Sequence, residues 1–223
     1  MHKIEAVIFD MDGLILDTER LALPALRRAG ESIGITLTDD ILTGMIGLDE
    51  HDANIFMEKN LGISVPQKEF SDAFYKDYEE TISTKGIPLK AGLIELIDFL
   101  EDNNIKTAIA TSTKTQLALK KLKLSGIGDR FQTVIGSDQV IKGKPSPDIY
   151  LKAANILNIP TDNCLALEDS DNGALSAIAA EIKVIVVPDI KPPSNITQKN
   201  AFGIYDSLFE VREYLREAIT DNS

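Results

Sequence analysis

Two acids close an apolar run near the start of the chain. In VIFDMDG, Asp10 follows Val7-Ile8-Phe9 directly and Asp12 comes two residues later. Other polar residues follow other short apolar runs in the same way. Thr111-Ser112-Thr113 follows residues 107–110. Gly136-Ser137-Asp138, and then KGKPSP with Lys144, follows 133–135. Glu168-Asp169 follows 164–167, and Pro188-Asp189 follows 184–187. The set amounts to several carboxylates, small hydroxyls and one lysine. Clustered carboxylates repel one another unless a cation offsets them, and hard oxygen ligands suit Mg²⁺, which often joins protein carboxylates to a phosphate. Hydroxyls, exposed N–H groups at a strand-to-helix turn and a lysine suit phosphoryl oxygens. Gathered in one place, these residues point to metal-assisted chemistry at phosphorus.

The elements needed to gather them can be read from the same runs. All five are short, and all but 164–167 are rich in β-branched residues, as buried parallel strands are. Helical patterns separate the last four: GLIELIDFLEDN precedes the second, KTQLALKKLKL the third, SPDIYLKAANILNI the fourth and DNGALSAIAAE the fifth. Strand alternating with helix predicts an α/β fold, a Rossmann-like doubly wound parallel sheet. Ligands of such sheets bind beyond the carboxyl ends of the strands, which is where the polar residues lie. The first strand breaks the rhythm. From Asp17 to about Pro88 only helical patterning appears, as in ERLALPALRRAGESIG and QKEFSDAFYKDYEETIS, with turns at 62–66 and 86–88. This predicts an inserted helical cap at 17–86 on a core formed by 1–16 and 87–223. YDSLFEVREYLREAI closes the chain as an amphipathic helix.

Composition excludes other classes. The chain has 223 residues, enough for a sizeable core, and a formal net charge of -12. That charge repels nucleic acid and anionic membrane surfaces, so neither is an expected partner. A small phosphorylated metabolite is the expected partner, and a monomer the expected state. The N-terminal apolar run is too short for a secretory signal, and no segment has the length of a membrane span. The single cysteine, Cys164, has no second cysteine to pair with. A cytoplasmic location fits these features.

FDMDGLILDTE, ATST, GKPSPDIY and LEDSDNG, in that order, resemble the four motifs of the haloacid dehalogenase-like phosphatases. The likeness spans residues 4 to about 190. The first motif, continuing into DTERL, is most similar to the β-phosphoglucomutase-like branch, which includes sugar-phosphate phosphatases and pseudouridine 5′-phosphatase. The resemblance implies that Asp10 is the nucleophile and forms an aspartyl-phosphate. Asp12 would be the general acid and then the general base. Mg²⁺ would be held by the Asp10 carboxylate, the Asp12 backbone carbonyl and Asp169, with Glu168 close by. Thr111 and the Ser112 N–H would hold the phosphoryl group, and Lys144 would bridge it to Asp10. Such an Asp12 must be protonated when it acts as acid, so neighbouring acids are expected to raise its pKa.

The implied activity is a Mg²⁺-dependent phosphatase. The alternatives are a phosphomutase of the same fold and a non-catalytic phosphate acceptor or sensor. A haloacid dehalogenase needs no Mg²⁺, and its relatives typically lack the second acid present here as Asp12. In the β-phosphoglucomutases a His follows the DT pair where this chain has Ala22, and a cap-loop Arg stands where it has Gly47, so the mutase is disfavoured. Other residues read as structural. Asp17 fixes the entry into the cap, and Cys164 is a core residue. Thr111-Ser112-Thr113 caps the following helix as well as binding phosphate, and Asp138 and Asp171 are supporting or capping residues. His2 and His51 have no assigned role. Glu181 stands where a glycine usually ends the helix before strand five, so that turn is expected to differ.

Overall fold

The computed structural model describes residues 3–48 and 50–220; His2 lies outside them. The chain divides into two compact units, Met1–Leu16 with Leu89–Ser223, and Asp17–Pro88.

The larger unit is built on a fully parallel sheet of six strands in the order β3-β2-β1-β4-β5-β6. The strands are β1 (Ala6–Phe9), β2 (Lys106–Ala110), β3 (Thr133–Ile135), β4 (Cys164–Glu168), β5 (Lys183–Val186) and β6 (Gly203–Ile204). The sixth corrects the expectation of five. It is only two residues long, and too short to leave an apolar run in the sequence. All four residues of β1 are fully buried, so both faces of the sheet are covered, as a parallel sheet requires.

The other unit contains helices α1 (Glu19–Ser32), α2 (Asp39–Met45), α3 (Glu50–Leu61) and α4 (Gln67–Lys85). Ala29, Leu37, Leu42, Met57 and Phe70 lie in its own core. Arg28 of α1 forks onto Asp77 of α4 at 2.8 and 2.6 Å. Asp17 begins this unit. Its N–H donates to the Pro88 carbonyl at 2.9 Å and its carboxylate accepts from Arg20 at 2.7 Å, in keeping with a structural role.

Among the described residues, six α-helices belong to this larger unit: α5 (Leu93–Asp102), α6 (Thr115–Leu124), α7 (Asp148–Leu157), α8 (Asp171–Ala179), α9 (Asn195–Asn200) and α10 (Leu208–Thr220). Helices α7 and α8 close on the face that carries Ala6, Ile8, Ala108 and Ala166, meeting it with Ala153, Ala154, Ala174 and Ala177. Small side chains on both sides let helix and strand backbones approach. Cys164 belongs to this core, and burial pushes its thiol up to about 11, so it is inert.

Two capping expectations are corrected. Helix α6 is not capped by the threonines before it. Asp138 does this, accepting from the Thr115 N–H at 2.6 Å and its hydroxyl at 2.8 Å. The backbone N–H bond of Thr115 leads in holding the Asp138 carboxyl below its usual range. The turn after α8 does not differ either. Glu181 adopts the left-handed conformation itself, at φ 59°, and the Ile182 N–H still reaches back to the Ala177 carbonyl at 3.0 Å. A side chain is strained there, so Glu181→Gly should stabilise the chain by about 0.5–1 kcal/mol, read as a raised urea midpoint.

Candidate active site

Parallel pairing in register decides which polar residues meet. Phe9 lies opposite Ile109 on one side and Leu167 on the other, so Asp10, Thr111 and Glu168 leave the sheet at one edge. The Asp10 N–H donates to the Leu167 carbonyl at 2.9 Å, which fixes the first acid against β4.

Lys144 joins the acids. Its Nζ donates to Asp10 Oδ1 at 2.6 Å and to Glu168 Oε1 at 2.5 Å, and its side chain is only 4% exposed. Tyr150 of α7 donates its hydroxyl to the same Glu168 oxygen at 2.5 Å, and Ser170 reaches Oε2 at 3.3 Å. Glu168 is wholly buried. The Lys144 loop is itself held down, because Ser176 of α8 donates its hydroxyl to the Ser146 carbonyl at 2.5 Å. Glycine is required twice around the cluster. Gly13, at φ 88°, passes so close to Asp169 that a Cβ would lie 2.2 Å from Oδ2, and at Gly173 one would lie 2.0 Å from Glu168.

Asp10, Glu168 and Asp169 each offer a carboxylate oxygen, and these atoms lie within 4.8 Å of one another. Two of these three acids, Asp10 and Glu168, share the Lys144 bridge. Burial, with help from Glu168 and Asp12, pushes the Asp10 carboxyl up to about 8 against the pull of Lys144. Burial works to lower the Lys144 ammonium, but Asp10 and Glu168 outweigh it and hold the lysine charged. Burial, followed by the charge of Glu168, holds Tyr150 protonated. The cluster gathers hard oxygen donors from three acids, which fits a divalent cation.

Asp12 acts electrostatically on Asp10, whose carboxyl it helps to raise. Its Oδ1 accepts from Lys121 of α6 at 2.6 Å and its Oδ2 from the Thr113 hydroxyl at 2.7 Å. A cation and a hydroxyl on its two oxygens hold the carboxylate in one orientation. Thr111 is buried and its hydroxyl accepts from the Thr113 N–H at 3.1 Å, while Ser112 is exposed at the head of the same loop.

Side-chain contacts therefore unite Asp10, Lys144 and Glu168, with Asp169 among the ligand oxygens. Asp12 is tied to the Thr111–Thr113 loop instead. Asp171 stands outside, anchoring the start of α9 through the Ser194 N–H at 2.9 Å and the Thr197 hydroxyl. Sequence reasoning missed Lys121, Tyr150 and Lys90, the last of which pairs with Asp189 at 2.6 Å. One signal was available for Lys121: in TQLALKKLKL it shares the buried helix face with Ala118 and Leu122, unlike Lys120 and Lys123.

The family model for haloacid dehalogenase-like hydrolases matches residues 7–187. The chain is 34% identical to a phosphorylated carbohydrates phosphatase of Thermotoga maritima, over 82% of this chain and 84% of that protein. It is 32% identical to a probable pseudouridine-5′-phosphatase of Drosophila melanogaster, over 99% of this chain and 98% of that one. The crystal structure of a β-phosphoglucomutase from Clostridium difficile shares the fold, with a TM-score of 0.80, 23% identity and coverage of 98% of both chains.

Proposed function

This chain belongs to the haloacid dehalogenase-like hydrolase family, and we propose that it is a Mg²⁺-dependent phosphatase acting on a small phosphomonoester, a sugar phosphate or nucleoside monophosphate, through a phosphoryl group carried on Asp10. The observation that carries this reading is the buried Lys144 bridge between Asp10 and Glu168, with Asp169 beside it. An unassisted carboxylate does not readily approach a phosphate dianion. Here the attacking oxygen belongs to an acid already paired with an ammonium group.

In the first step an Asp10 oxygen bonds to phosphorus as the ester oxygen–phosphorus bond breaks. Asp12 gives its proton to the departing oxygen. In the second step Asp12 takes a proton from water, whose oxygen attacks phosphorus and frees Asp10. Lys121 and Thr113 orient Asp12 for both transfers. Thr111 and the Ser112 N–H hold phosphoryl oxygens, and Glu168 with Tyr150 keeps Lys144 in place. The Asp10 and Asp169 carboxylates and the Asp12 backbone carbonyl would hold Mg²⁺, with Glu168 close by. Bound there, the ion would offset charge between the acids and the phosphate. The helical unit serves as the cap that selects the leaving group, and the enzyme works as a cytoplasmic monomer. No helix among the described residues is long and apolar enough to cross a membrane.

Phosphatase is favoured over mutase by the cap. A mutase grips a second phosphate and shields the aspartyl-phosphate from water. Ala22 and Gly47 stand where the corresponding His and Arg would be, and Gly47 has φ 76°, where an arginine would be strained. Hydrolysis of an aryl phosphate with and without Mg²⁺ tests the activity, and phosphate release only with the ion is expected. With β-glucose 1-phosphate and a trace of the bisphosphate, rapid formation of glucose 6-phosphate with little free phosphate would support the mutase instead.

The cation fit has a readout besides turnover. The folded-state value of Asp10, about 8, lies above its ordinary 3.8, so its proton stabilises the fold below that ordinary value. This contribution is lost as pH rises through 8. Metal-free protein should therefore melt several degrees lower at pH 9 than at pH 5, at about 2–4 °C per kcal/mol for a chain this size. Mg²⁺ should raise the melting point more at pH 9, and Asp10→Asn should flatten the pH slope. Equal Mg²⁺ shifts at both pH values would remove Asp10 from the metal site.

A further inference from the structure

Residues 11–16 carry Asp12 away from the sheet in a tight turn. The Leu16 N–H donates to the Met11 carbonyl at 3.0 Å and the Gly13 N–H to the Leu16 carbonyl at 2.9 Å, so Leu16 pairs with Asp12 in parallel. On its other side Leu16 pairs antiparallel with Leu89, and the Lys90 N–H donates to the Ile15 carbonyl at 3.0 Å. Asp12, Leu16 and Leu89 thus lie side by side in a small backbone ladder. The Lys90 side chain leaves this ladder for the end of β5, where its Nζ meets Asp189 Oδ1 at 2.6 Å. The Asp189 side chain is 2% exposed and that of Lys90 21%. The chain after β5 is itself fixed, because the Val187 N–H donates to the Glu168 carbonyl at 2.7 Å.

We propose that Lys90 is a positioning residue for Asp12: its ion pair with Asp189 pins the ladder to the end of β5 and so fixes the backbone from which the Asp12 carboxylate reaches out. A buried ion pair adds little net stability, since apolar side chains of similar volume often do as well, but it can hold a register. The register held here is a narrow one. Gly13 passes so close to Asp169 that a Cβ would lie 2.2 Å from its Oδ2, and the Asp12 carboxylate is already committed to Lys121 and Thr113. A shift of the turn would therefore move Asp12 relative to the group it protonates. Misplacement of a reacting group by about 1 Å can cost about 10²-fold in rate. The role of Asp12 is taken from the phosphatase reading; the ladder and its pin stand apart from it.

Two readouts on the full chain test this. The first is amide hydrogen exchange in the metal-free protein. Lys90→Met keeps the apolar stem of the side chain and removes its charge. Exchange at Gly13, Ile15 and Leu16 should speed up by roughly tenfold or more, while the amides of β1 stay as protected as before. Lys90→Arg should restore most of the protection. Asp189→Asn, which keeps the shape of the acid, should reproduce the loss and serves in place of Lys90→Met if that variant folds poorly. The second readout compares kcat/KM for glycerol 2-phosphate, whose leaving oxygen needs a proton, with that for 4-nitrophenyl phosphate, whose leaving oxygen does not. In Lys90→Met the first should fall by roughly tenfold to 10²-fold and the second much less. Unchanged exchange at residues 13–16, equally faster exchange throughout β1, or equal losses on the two esters would overturn the proposal. If the unsubstituted protein releases phosphate from neither ester, the phosphatase reading fails, and the exchange rates still decide whether Lys90 holds the turn.

Discussion

Asp10→Asn is expected to remove turnover, by about 10⁴-fold or more, and to leave the fold intact. The amide is nearly the same shape as the carboxylate but is a poor nucleophile, so no phosphoryl group can be carried. The fold should tolerate the change for a reason specific to this site. Lys144 keeps Glu168 as a partner at 2.5 Å, so no buried charge is left unpaired. The amide also removes a carboxyl whose ionised form burial makes costly. Kinetics and a melting curve on the same preparation check both halves. Substantial Mg²⁺-dependent activity in the variant would refute the covalent role of Asp10.

The second large effect lies on the opposite charge. Lys144→Ala should lower stability by about 3–5 kcal/mol, because it strips the cation from two buried acids at once. Activity should fall with it, even below the melting temperature. Lys144→Arg keeps the charge and should lose less of both. Equal losses in the two variants would mean that the shape of the lysine, not its charge, matters. Urea unfolding and phosphate release measured side by side distinguish these outcomes.

The acids were legible in the sequence because each follows a buried strand, and a parallel sheet brings all such ends to one edge. Asp10, Glu168 and Lys144 could be assembled on that logic alone. What supports them was not legible. Lys121 lies 109 positions from Asp12, and nothing local marks it apart from its place on the buried face of α6. Tyr150 reads as one more core aromatic until α7 aims its hydroxyl at Glu168. Asp138 caps a helix that begins 23 residues earlier. The strand at 203–204 is held by its pairing with β5 rather than by any propensity of its own. Each of these depends on packing between segments distant in sequence, where pattern carries no signal.

The phosphoryl group on Asp10 can be seen directly. An aryl phosphate has a leaving group that needs no proton, so Asp12→Ala should still be phosphorylated by it, whereas the following attack by water lacks its base. With Mg²⁺ and a radiolabelled aryl phosphate, an acid quench of Asp12→Ala should find the label on the protein. Hydroxylamine should release it, and it should map to the peptide containing Asp10. Label that reaches free phosphate without residing on the chain, or that resides on another residue, would contradict the mechanism.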